Sequence, residues 1–116
     1  MYLVPVTTDA YQIQNFTYDG HDLTLTLRWN SIVGFWNFDL YDNTNDIQVT
    51  QSEALSVGSP SLVGSQLSFY LLLNDDSGLG TNATEITDLG DRINLYIVDR
   101  TEYNEAIRQI DSISYR

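Results

Sequence analysis

At 116 residues the chain suits one domain and not two, and a core of that size can bury roughly two-thirds of the unfolded surface without a metal or disulfide. Sixteen acidic residues against five arginines and no lysine give a net charge of −11, so no cationic face can be assembled for nucleic acid or an anionic membrane. There is no cysteine to serve as nucleophile or zinc ligand, 42 % hydrophobic content supports a folded core, and no apolar run approaches the ~20 residues of a membrane span.

The first residues, MYLVPVTTD, lack the basic and long apolar regions of a signal peptide, and none is expected. Tyr2 to Thr7 reads as an edge strand, because Pro5 cannot donate to a ladder. Tyr11 to Tyr18 is the next strand, and Asp19-Gly20 is a two-residue hairpin turn of the I′ type that pairs Tyr18 with His21 and Phe16 with Leu23. That register sets Gln14 opposite Leu25 on the apolar side, so a bulge near Asn15 is expected to bring Ile13 inward instead.

Leu23 to Tyr41 is the stretch with the clearest pattern. Leu23, Leu25, Leu27 and Trp29 alternate with Thr24, Thr26 and Arg28; Trp36, Phe38 and Leu40 alternate with Asn37, Asp39 and Tyr41. If Asn30 pairs with Phe35 across Ser31-Ile32-Val33-Gly34, Trp29 meets Trp36, Leu27 meets Phe38 and Leu25 meets Leu40. A slip of one residue would destroy the match, so the register is well specified. Asn43-Thr44 then reads as a turn that pairs Leu40 with Ile47 and Phe38 with Val49.

Gln51 to Ser65 reads as a loop, with Leu55, Val57, Leu62 and Val63 as docking contacts. Gln66 to Leu73 is an apolar strand with Leu67, Phe69, Leu71 and Leu73 on one face and Tyr70 and Leu72 on the other. Asn74 to Asp91 is an acidic loop, and Arg92 to Val98 a strand with Ile93, Leu95 and Ile97 inward and Asn94 and Tyr96 outward. Thr101 to Ile110 is the helix candidate, capped by Thr101, and Ile113 and Tyr115 fit a last strand. The expected class is mainly β: a small antiparallel barrel or two-layer sandwich with one short C-terminal helix, residues 1–116 forming a single domain.

The residues offer little chemistry. His21 is the only histidine and falls at a hairpin turn; no Gly-x-Ser-x-Gly elbow and no phosphate-binding glycine loop with lysine is present. Asp42, Thr44, Asp46 and Glu53 have EF-hand spacing, and Asn74, Asp76 and Glu85 a partial match, but Ile47 and Leu79 occupy the position that needs glycine. An irregular calcium site in Asn74–Asp91 is left open; otherwise the expectation is no catalytic residue, no metal and no cofactor, and the protein is expected not to be an enzyme. Trp29, Trp36, Phe38 and Phe16 share the inner face and read as core. Tyr41, Tyr70 and Tyr96 point away from it and fit an outward patch for a protein or sugar, or a second core layer.

Three stretches carry a recognisable pattern: Asp19-Gly20-His21-Asp22-Leu23, Leu25-Thr26-Leu27-Arg28-Trp29-Asn30, and Trp36-Asn37-Phe38-Asp39-Leu40-Tyr41-Asp42. Together they resemble the small baseplate plug family of contractile-tailed bacteriophages, first recognised in cyanophages. That family shows a DG turn, an L-R-W-N strand end and a W-x-L-D-L-Y-D strand, in which Phe38 here replaces the usual aliphatic residue. Asp88 to Tyr96 resembles the closing strand, so the resemblance runs from about Phe16 to Val98, with the segment after Arg100 as an addition.

The resemblance implies a structural virion protein of the tail baseplate, made in the host cytoplasm. It would plug the central hub and tail-tube end until contraction, partnered by hub, spike and tail-tube proteins and by further copies in a ring. A β-domain binding module for carbohydrate or a host surface is the alternative. The outer face of the central hairpin, with Arg28, Asn37, Asp39 and Tyr41, together with Tyr70 and Tyr96, is the candidate interface.

Overall fold

A computed structural model describes residues 2–62, 65, 67–78, 80 and 85–105. Seven strands follow in order: β1 (Tyr2–Leu3), β2 (Tyr11–Tyr18), β3 (His21–Asn30), β4 (Phe35–Asp42), β5 (Ile47–Leu55), β6 (Phe69–Asp75) and β7 (Ile93–Asp99). They form two antiparallel sheets, β2-β3-β4-β5 and β1-β7-β6. The sheets face each other and are not closed into one cylinder, so the sandwich alternative holds and the barrel does not. The cause lies at Leu55: there the chain leaves the first sheet, and residues 56–61 run along β6, with Gly58 and Ser61 donating to the carbonyls of Leu73 and Leu71.

The β3–β4 hairpin has the register its alternation requires. Asn30 pairs with Phe35, Trp29 with Trp36, Leu27 with Phe38 and Leu25 with Leu40. Leu23, Leu25, Leu27, Phe38 and Leu40 have no accessible surface, and Trp36 is 1 % exposed. Burial of each such side chain is worth about 1.5–3 kcal/mol. From the opposing sheet Phe69, Leu71, Leu73, Ile93, Leu95 and Ile97 complete one continuous core.

The Asp19-Gly20 turn has the expected geometry, with φ of 51° and 78°, the left-handed pair that a I′ turn demands. The bulge near Asn15 does not form. Gln14 sits opposite Leu25 in a regular ladder, and Ile13 faces outward at 51 % exposure. Gln12 is the buried residue instead. Its Oε1 accepts from the Thr7 N–H at 2.8 Å and from Gln14 Nε2 at 2.9 Å, and its Nε2 donates to the carbonyls of Thr7 and Asp9. A satisfied amide costs little to bury, which removes the reason for a bulge.

The β4–β5 connection also differs from expectation. The turn spans Asn43–Asp46, not Asn43-Thr44, and Asp42 pairs with Ile47. The Asp42 carboxylate accepts from the N–H groups of Thr44 and Asn45, and this side-chain cap selects the four-residue turn. Two register shifts follow, so that Leu40 meets Thr50 and Phe38 meets Glu53. Ile47 is therefore exposed, at 55 %. The strand also continues to Leu55, through much of the segment expected to be a loop. Leu55 and Leu62 dock on the core as expected, whereas Val63 lies outside the described residues.

Residues 100–105 are helical, and the cap is Asp99, not Thr101: Asp99 Oδ1 accepts from the N–H groups of Thr101 and Glu102 at 2.9 and 3.3 Å. The expected remainder of the helix and the strand at Ile113 and Tyr115 lie outside the described residues.

Candidate assembly surface

Strand alternation sends Arg28 out of the core on β3, and Asn37, Asp39 and Tyr41 out on the neighbouring β4. The ladder sets Arg28 beside Asn37. The Arg28 guanidinium donates to both Asp39 oxygens, at 2.6 and 3.0 Å, and its Nε donates to Asn37 Oδ1 at 3.1 Å. A further donor reaches Asp39 from the Ser52 N–H at 2.7 Å; Ser52 holds a left-handed φ of 52°. This fork-to-fork pairing fixes two long side chains in one geometry. The hydrogen bonds from Arg28, ahead of that from Ser52, hold the Asp39 carboxyl below the usual aspartate range despite partial desolvation.

Tyr41 lies on the same face and donates its hydroxyl to Asp46 in the adjoining turn. That carboxylate raises the phenol's pKa above its ordinary value. Tyr96 makes the matching contact on the second sheet, where its hydroxyl donates to Asp76 Oδ2 at 2.9 Å. Asp76 also accepts from Asn74 and Asn94, and these three hydrogen bonds, Asn74 first, lower its pKa.

The six candidate interface residues do not form one patch. Arg28, Asn37, Asp39 and Tyr41 are together on the outer face of β2-β3-β4-β5. Tyr70 and Tyr96 belong to β6 and β7, whose outer face is on the opposite side of the sandwich. Tyr70 is moreover covered: it is 5 % exposed, packed edge-on against Tyr103 with ring centroids 5.5 Å apart, and beneath the Arg100 guanidinium at 5.1 Å. The chain's own C-terminal turn thus takes the position expected for a partner, and Tyr70 belongs to a second packed layer.

Sequence reasoning passed over the most exposed large apolar side chains among the described residues. Ile32 and Val33 form the tip of the β3–β4 hairpin, 93 % and 63 % exposed. The tip is held in shape: Asn30 Oδ1 accepts from the N–H groups of Ile32 and Val33, the Gly34 N–H donates to the Asn30 carbonyl at 2.8 Å, and Gly34 takes φ 73°. Two adjacent aliphatics at the centre of a turn, where polar residues are the norm, were the available signal.

His21, at the hairpin turn where the sequence places it, has a carboxylate partner. Its Nδ1 lies 2.9 Å from Asp42 Oδ2, beside a cleft that Asn45, Ile47, Gln48 and Ser65 help line. Burial raises the Asp42 pKa, but hydrogen bonds from Asn45 and then His21 outweigh it and leave the carboxyl lowered. The same carboxylate caps the Asn43–Asp46 turn, so the pair holds the ends of two hairpins together. The acidic residues singled out for calcium are engaged within the chain: Glu53 with Thr50 and the Leu62 N–H, Asp46 with Tyr41, Asp76 as above. Among the described residues no group of three or more His, Cys, Asp or Glu side chains is placed to hold a metal ion.

The described residues present a hydrogen-bonded ionic face, a second face with Tyr96 tethered to Asp76, and an apolar tip at one end. A family model described as "Cyanophage baseplate Pam3 plug gp18" matches residues 1–101, a wider span than the motifs alone cover. No curated protein matches the chain.

Proposed function

The chain belongs to the cyanophage baseplate plug family, and from that premise we propose that it plugs the centre of a contractile-tail baseplate, closing the hub and tube end until contraction. A structural role in the virion tail baseplate follows from family membership itself, as does association with other baseplate components. Membership in a structural family also favours a role without catalysis. The match over residues 1–101 carries the reading: it embraces both sheets and the hairpin tip, and ends just after β7.

The mechanism is steric. A plug must resist deformation, and the paired ladders, the continuous core and the Arg28–Asp39 fork favour a rigid body. It must also hold its neighbours through surfaces that survive in water as a free protein. Ile32 and Val33 supply a small apolar anchor of this kind, raised on a turn that the Trp29–Trp36 contact at 5.4 Å underlies. The outer face bearing Arg28, Asn37, Asp39 and Tyr41 lies beside neighbouring copies or the hub wall, and the seal opens when the spike complex leaves. The protein is made in the bacterial host and joins the baseplate there, with residues 1–116 acting as one plug domain.

Mixing the purified chain with purified hub, spike and tail-tube proteins tests the reading. Co-sedimentation with the assembled hub is expected. The double variant Ile32→Asp, Val33→Asp should keep its melting temperature, because both side chains are exposed, and lose at least about tenfold in co-assembly. Failure of the wild-type chain to enter any hub assembly would overturn the proposal.

A further inference from the structure

Among the described residues no strand or loop pairs with the outer edge of β2, and this edge is the least protected feature of the first sheet. Edge strands are ordinarily blunted by charge, proline, bulges or covering segments. The other edges of the sandwich follow this rule. β5 is broken by two register shifts and by Ser52 at φ 52°, β6 is covered by residues 56–61, and β1 has two residues. By contrast β2 has eight residues in unbroken register, no proline and no charged side chain: Tyr-Gln-Ile-Gln-Asn-Phe-Thr-Tyr.

Its hydrogen-bonding groups can be assigned. Tyr18 and His21 close a two-residue turn and are therefore a mutually bonded pair, after which bonded and non-bonded pairs alternate. The Trp29 N–H, which donates to the Ala10 carbonyl at 2.8 Å, has the parity this assignment requires. Tyr11, Ile13, Asn15 and Thr17 thus turn both N–H and C=O away from β3. The same four side chains are exposed on the outer face, Tyr11 at 61 % and Ile13 at 51 %. Tyr2 and Leu3, at 37 % and 54 %, border this side of the sandwich, where Tyr2 stacks within 6.2 Å of Phe16.

We propose that β2 pairs antiparallel with β2 of a second copy, about a two-fold axis through Gln14, to join two four-stranded sheets into one. In this register Tyr11 meets Thr17 and Ile13 meets Asn15, each once from either side. Every outward N–H and C=O of the four residues then finds a partner, since each narrow pair exchanges two bonds. Ile13 and Ile13 of the partner subunit become diagonal neighbours across the axis, within reach of each other. Self-complementarity selects the occupant: one two-fold axis satisfies the outward groups of both strands at once, along a strand that carries no charge. Copies of a chain with net charge −11 repel one another over most of their surface, and an uncharged strip is where they can meet. A basic partner would be drawn to the acidic loops instead. The pairing is a property of the free protein and does not depend on the baseplate role.

Sedimentation equilibrium between about 1 and 100 μM tests it. A monomer–dimer equilibrium is expected, with slowed amide exchange at Ile13 and Asn15 in the dimer. Ile13→Glu places like charges across the axis, and Asn15→Pro removes an outward N–H that β3 does not use. Each should weaken dimerisation at least about tenfold while far-UV circular dichroism and melting of the monomer persist. Ala54→Glu, on β5, should leave the dimer unchanged. A wild-type chain that stays monomeric through 100 μM, or a dimer insensitive to both β2 variants, would overturn the proposal.

Discussion

Trp36 shows most sharply what one residue contributes. It is 1 % exposed, packs against Trp29, and its indole N–H finds no hydrogen-bond partner among the described residues. Trp36→Ala should therefore cost about 3–5 kcal/mol in urea unfolding. Trp36→Phe keeps most of the apolar contact and removes an unpaired buried donor, itself worth about 1–3 kcal/mol. It should fall within about 1.5 kcal/mol of wild type. A near-wild-type midpoint for the alanine variant would show that Trp36 stabilises an interface and not the core. At this scale the sequence revealed which face a side chain takes wherever strands alternate cleanly. It did not reveal hydrogen bonds that cross turns: Gln12, whose amide ties down Thr7 and Asp9, and Asp42, whose carboxylate binds His21, depend on loops that come together only in the fold.

Among the elements, the β3–β4 hairpin was legible in full because both strands carry their own pattern and the turn between them has one length that matches the patterns. The β4–β5 hairpin was not, because the first half of β5 has only Ile47 and Val49 to set a phase, and the Asp42 cap overrides them. Tyr70 stayed open between an outward patch and a second packed layer for a related reason: its cover comes from residues 100–105, a segment with no pattern that announces where it docks. Gly34 gives the hairpin tip its shape. Its φ is 73°, and a methyl group added at its Cα would point into open space. Gly34→Ala therefore meets backbone strain and no clash, and should destabilise by about 1 kcal/mol. The Trp29–Trp36 exciton couplet in far-UV circular dichroism should persist, because the register is set by the strands and not the tip. Its loss would mean that the turn, not the alternation, fixes the pairing.

For the molecule as a whole, three carboxylates in separate parts of the sandwich are held below their ordinary range: Asp39 and Asp42 in the first sheet and Asp76 beside the second. Each has a lower pKa folded than unfolded, where about 3.8 applies. Their stabilisation is thus present in full above about pH 5 and is lost as pH falls through the folded values. The melting temperature should drop steeply below about pH 4, and Asp39→Asn should lower it at pH 7 while flattening the acid limb. An Asp39→Asn profile parallel to wild type would remove the Arg28–Asp39 fork from the account of stiffness.

The role proposed for the whole molecule is to occupy a place, so position is the decisive observation. Electron cryomicroscopy of the phage tail before and after contraction measures it most directly. The account predicts density for the two-sheet sandwich across the lumen at the hub end of the extended tail, with the Ile32–Val33 tip against a neighbouring protein, and its displacement after contraction. A sandwich found on the periphery of the baseplate, or one that leaves the lumen open before contraction, would contradict it.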